Sequence, residues 1–89
     1  MIKKLIINAD DFGMCEGNSL GILLAHEQGI VSSTTVMMNM PYASWALDKA
    51  KAYPNLGIGV HLTLTAGKPL LSGKKSYTDE AGNFLRPSA

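Results

Sequence analysis

The chain alternates short aliphatic or β-branched runs with stretches of helical spacing, and this alternation restricts the fold more than any single residue does. Ile2 to Ala9 has no helical period, is rich in isoleucine and runs into the polar cluster Asn8-Ala9-Asp10-Asp11, which predicts a buried strand. Glu16 to Gln28 places Leu20, Leu23, Leu24 and Glu27 at helical spacing, with Asn18 or Ser19 as the candidate cap and Gly29 where a helix-ending glycine belongs. Val31 to Met40 is β-branched, then apolar, and stops at Pro41, as a second strand would. Tyr42 to Tyr53 is built from strong helix formers and stops before Pro54. Leu56 to Thr65 alternates cleanly, putting Ile58, Val60, Leu62 and Leu64 on one predicted buried face and Gly59, His61, Thr63 and Thr65 on the other.

Strand, helix, strand, helix, strand predicts an α/β fold of parallel strands joined by crossover helices. A parallel sheet needs cover on both faces, and two helices cannot provide it. After Thr65 the Gly-, Ser-, Lys- and Pro-rich "AGKPLLSGKKSYTDEAGNFLRPSA" offers only a short hairpin around Asp79 to Asn83. A chain of 89 residues also buries only about 60–65% of the surface its unfolded form exposes. Residues 1–89 are therefore expected to be the N-terminal part of one larger domain, persisting alone only by self-association as a homo-oligomer.

Charge narrows the partners. The net charge is +1 and the only basic pairs are Lys3–Lys4 and Lys74–Lys75, which argues against nucleic acid. No apolar stretch is long enough to span a membrane, and the N-terminal run is too short for a signal peptide. The single Cys15 forms no internal disulfide, so a cytoplasmic location is expected.

Asp10 and Asp11 carry the chemistry. Adjacent carboxylates repel, so the pair requires a cation, a shared proton or open solvent. In parallel α/β folds the working residues collect where strands end, and there Asn8, Asp10, Asp11, Asn39 and His61 fall. Carboxylate oxygen with imidazole nitrogen suits a divalent ion such as Zn²⁺, Mg²⁺ or Mn²⁺. The plainer alternatives are a solvated turn or helix cap for the acidic pair and a hydrogen-bonded structural role for the histidine. His26 reads as a packing residue, Met37, Met38 and Met40 as core filling, and Cys15 as unreactive for want of a nearby cation. Gly13 and Gly17 make no nucleotide-binding fingerprint.

Three segments taken in order, "IINADDFGMCEGNSLGI", "GIVSSTTVMMNMP" and "GIGVHLTLTAGKPL", resemble the N-terminal part of the YdjC-like carbohydrate deacetylases, the family that includes chito-oligosaccharide deacetylase. The resemblance runs from Met1 to about Arg86. It implies the opening part of a distorted (β/α) barrel and a divalent ion, Mg²⁺ or Zn²⁺, that assists hydrolysis of an N-acetyl group on an amino sugar. Carried over by residue, it implies Asp11 and His61 as metal ligands and Asp10 as general base, the reverse split of the two aspartates staying open on sequence alone. The loop "LTLTAGKPL" is then expected beside the sugar, with Thr63, Thr65 and Lys68 as substrate-binding donors. The family draws another metal histidine from a downstream Asp-Ser-His-His-like motif that this chain does not contain. A full barrel takes about 250 residues, so this segment alone is expected to be inactive.

Two other readings stand beside this one. A different metal hydrolase such as a phosphoesterase would use the same acidic pair and histidine, but would add an arginine or a helix N-terminus for the anion. A non-catalytic α/β module would use its open sheet for self-association.

Overall fold

The computed structural model describes residues 3–71, 73 and 75–86. Ile2, the expected start of the first strand, and Lys74, of the second basic pair, lie outside them. The elements follow the predicted order: β1 (Asn8–Phe12), α1 (Glu16–Gln28), β2 (Ser33–Val36), α2 (Ala43–Ala50) and β3 (Gly57–Val60). The strands form one parallel sheet in the order β1-β2-β3, with Asn8 opposite Ser33 and Ser33 opposite Gly57.

One core lies between the sheet and the helices: Phe12 and Val36 from the strands, Ile22 and Leu23 from α1, and Ala43, Ala46 and Ala50 from α2. The alanines recur at three- and four-residue spacing, so α2 presents a flat, small-residue face. On β2, Thr34 and Val36 point into this core, and the Thr34 hydroxyl donates to the Ala9 carbonyl at 2.6 Å. Ser33, Asn8 and Asp10 consequently share the opposite, open face of the sheet.

Several expectations need correction. The first strand begins later than Ile2 to Ala9 suggested: the ladder starts where the Ile7 carbonyl accepts from the Ser32 and Ser33 amides, and Leu5 and Ile6 are exposed. In α1 the buried stripe is Ser19, Ile22 and Leu23, while Leu20 and Leu24 face outward. The cap is Cys15, whose Sγ accepts from the Asn18 amide at 3.4 Å, because Asn18 and Ser19 turn their side chains back toward β1. Gly29 ends the helix without a left-handed backbone; a Cβ there would sit 2.6 Å from the Ala25 carbonyl oxygen.

The expected buried face of the third strand is the largest departure. Register places Ile58 and Val60 on the helix side, opposite Thr34 and Val36, yet β3 is exposed throughout. The described helices lie over β1 and β2, leaving no cover for β3, and Leu62 and Leu64 fall beyond its end. Of the methionine cluster, only Met37 is buried. The expected hairpin is present: Thr78 bridges Phe84 in antiparallel fashion, and the Asp79 amide donates to the Asn83 carbonyl at 2.8 Å. No helix of the described residues is long and apolar enough to cross a membrane.

Candidate metal centre

The acidic pair sits inside β1, not after it, and a break in register makes that possible. Between Ala9 and Phe12 the pairing with β2 slips, and Asp11 has φ +71°. Strict alternation would send Ala9 and Asp11 to the core and Phe12 to the open face, since a strand repeats every two residues. The bulge resets the phase, so Phe12 is fully buried while Asp11 stays partly exposed at the rim. A left-handed backbone costs a non-glycine residue roughly 1–2 kcal/mol, least for Asp and Asn.

At that rim Asp11 Oδ1 lies 3.1 Å from His61 Nε2. His61 follows β3 directly, and its amide donates to the Val36 carbonyl at 2.9 Å, which extends the ladder by one residue and fixes the histidine backbone. On the other side of the ring, Nδ1 lies 3.2 Å from the Leu62 carbonyl. Each ring nitrogen thus faces an oxygen acceptor, Asp11 on one side and the Leu62 carbonyl on the other, and a singly protonated ring donates to only one of them. With the proton on Nδ1, Nε2 and the carboxylate are two facing acceptors, which repel; with it on Nε2, the ring donates to Asp11. A proton or a cation between them turns the contact attractive, and the donor set, one hard oxygen and one imidazole nitrogen, fits a divalent ion.

Asp10 takes a different environment on the open face. Its Oδ1 accepts from Asn8 Nδ2 at 2.8 Å, and Asn8 Oδ1 in turn accepts from the Ser33 hydroxyl at 2.7 Å. This chain orients one carboxylate oxygen and leaves the other free. Among the described residues no third His, Cys, Asp or Glu joins Asp11 and His61.

An open hollow of about 400 Å³ adjoins His61, with Thr63, Asn39, Leu64, Tyr77 and Phe84 in its walls. Thr63 donates to the His61 carbonyl at 3.1 Å, and Asn39, expected at the end of β2 but found in the turn beyond it, donates to the Ala66 carbonyl at 2.8 Å. Of the expected substrate donors, only Thr63 borders the hollow; Thr65 and Lys68 are exposed farther along the loop and do not line it. His26 bonds the Val31 carbonyl and packs edge-on to Tyr53, the structural role expected of it.

The family described as YdjC-like protein matches this chain over residues 4–89. The chain belongs to that family. A carbohydrate deacetylase of Thermoanaerobacter pseudethanolicus is 49% identical over 87 residues, covering 96% of this chain and 35% of the relative. A carbohydrate deacetylase of Brevibacillus brevis is 49% identical over 83 residues, covering 93% and 34%. A solved structure from Enterococcus faecalis, whose name assigns it provisionally to cellobiose-phosphate cleavage, superposes with a TM-score of 0.84 at 46% identity, covering 94% of this chain and 34% of that one. The chain thus spans about a third of the length of the curated relatives it matches. Within the family segment, the Asn18 and Ser19 contacts to the Asp11–Gly13 turn were hidden from the sequence, where both residues read as helix caps.

Proposed function

We propose that this chain contributes the first part of a (β/α) barrel enzyme that hydrolyses N-acetyl groups on amino sugars, with Asp11 and His61 holding a divalent ion and Asp10 as general base. The observation that carries the reading is the 3.1 Å approach of Asp11 Oδ1 to His61 Nε2 at the rim of the sheet. The names of the curated relatives support the substrate class. A bound divalent ion supplies polarisation of the acetamide carbonyl and a more acidic water. Asp10 takes the attacking water's proton on Oδ2, because Oδ1 is already engaged by Asn8. The water oxygen bonds to the acetamide carbon, the carbon–nitrogen bond breaks, and the departing amine receives a proton, so that acetate and free amine are the products. In this reading Thr63, which borders the hollow, meets the sugar there, and Thr65 and Lys68, which lie outside its walls, meet it farther along the loop. The exposed leucines beside β3 fit a surface covered in the working protein, whether by more of its own barrel or by another copy.

Phosphate-ester hydrolysis is the second reading, favoured only by the name of the Enterococcus relative. Among the described residues no lysine or arginine lines the hollow to meet its anion: Arg86, the chain's single arginine, borders a different depression with Gly67 and Asp79. The test is amine release from N-acetylglucosamine oligomers by the complete gene product, with and without a chelator. Chelator-sensitive turnover that disappears in His61→Ala supports the reading. Undiminished turnover in either condition overturns the metal assignment.

A further inference from the structure

We propose that Asn18 is a positioning residue: its carboxamide holds Asp11 in the left-handed conformation and thereby aims the carboxylate at His61. Asp11 is the one described non-glycine residue with positive φ, so something must hold it there. The Asp11 carbonyl accepts from two donors, Asn18 Nδ2 at 2.9 Å and the Met14 amide at 3.2 Å. One position on, Ser19 Oγ, fully buried, accepts from the Gly13 amide at 3.0 Å. Consecutive residues of α1 therefore grip the turn by a carbonyl and by an N–H.

The two contacts do different work. Ser19 is buried beneath the turn and anchors it to the core, so losing it is a stability matter. Asn18 is exposed and touches the peptide unit that follows Asp11, whose orientation decides between two arrangements of β1. In one, the bulge is present, Phe12 is in the core and Asp11 is on the rim. In the other, alternation is regular and Asp11 turns toward the helices, away from His61. Asn18 donates to the carbonyl in the first arrangement. Because Asn18 is exposed and lies outside the core, its removal shifts the aim of Asp11 without unfolding the chain.

The test uses the complete gene product in three forms, wild type, Asn18→Ala and Asn18→Leu, the last keeping the side chain's bulk without its donor. Zn²⁺ titration by calorimetry is expected to show an affinity about tenfold lower in both variants, the size typical of losing a group that orients a metal ligand, at unchanged Tm. This arm rests on the reading of Asp11 and His61 as ligands, and Asp11→Asn sets its zero. Crystal structures of the variants form an independent arm, expected to show Asp11 out of the left-handed region or its carboxylate withdrawn from His61. Wild-type affinity in either variant overturns the proposal. If wild type binds no Zn²⁺, the metal reading fails by itself, and an Asp11–His61 pair unchanged in Asn18→Ala crystals then overturns the proposal as well.

Discussion

Replacing Gly13 with alanine tests whether the turn that carries Asp11 is built against α2. Gly13 has φ +89°, and a Cβ there would lie 2.9 Å from the Cα of Ala43 and 3.3 Å from its nitrogen. Those atoms are backbone at the first turn of α2, buried in the core, and cannot swing aside as a flexible side chain would. Gly82 supplies the matching control: φ +83°, with nothing within 4 Å of the added carbon. Both substitutions incur the left-handed cost, roughly 1–2 kcal/mol, while only Gly13→Ala adds overpacking, about 1–3 kcal/mol. Gly13→Ala is thus expected to destabilise by about 2–5 kcal/mol and Gly82→Ala by about 1–2 kcal/mol. Urea unfolding of the complete gene product, compared at equal m values, measures the difference. Equal midpoints for the two variants would refute the reasoning, since they would mean that α2 does not press on the turn. A Gly13→Ala protein that folds should also bind Zn²⁺ more weakly, because the displaced turn carries Asp11, the proposed ligand.

Four further outcomes are expected. Asp11→Asn and His61→Ala should each abolish Zn²⁺ binding measured by calorimetry. Asp10→Asn should lower kcat by about 10²–10⁴-fold with Zn²⁺ affinity retained, and Asn8→Ala should lower kcat less, with KM unchanged, because it disturbs only the orientation of Asp10. Ser19→Ala leaves the buried Gly13 amide without a partner, and should reduce stability in urea unfolding by about 1–3 kcal/mol. Light scattering of the 89-residue chain expressed by itself should report a mass above that of a monomer, as the exposed edge and leucines of the β3 region pair between copies.

The alternation of strands and helices was legible because each element announces itself by its own period, with Gly29 after α1 and Pro54 beyond α2, although β2 ends at Val36, well short of the expected stop at Pro41. The meeting of Asp11 and His61 was legible too, since parallel strands open their C-terminal ends on one rim. What could not be read was the bulge. An acidic pair after an aliphatic run looks like a turn, and nothing in Asp10-Asp11-Phe12 reveals that one residue is inserted into the ladder. Hence the strand was placed too early, and the contacts of Asn18 and Ser19 stayed unseen because they bond to a turn whose geometry the bulge creates. Burial of Ile58 and Val60 failed for another reason: alternation predicts which side a residue faces, and only packed neighbours decide whether that side is covered.

The left-handed backbone at Asp11 also limits what can replace it. Two filters act on that position independently. The backbone admits glycine, asparagine and aspartate most readily, whereas a cation opposite His61 calls for an anionic oxygen. Aspartate alone passes both. Glutamate keeps the charge but meets the conformational barrier and reaches one methylene too far; glycine relaxes the backbone and removes the proposed ligand; asparagine satisfies the chain but replaces the anionic oxygen with a neutral one that no longer holds the ion. Asp11→Asn is therefore the substitution that separates chemistry from conformation, and in a library of variants selected first for folding and then for metal binding, position 11 should pass from three tolerated residues to one.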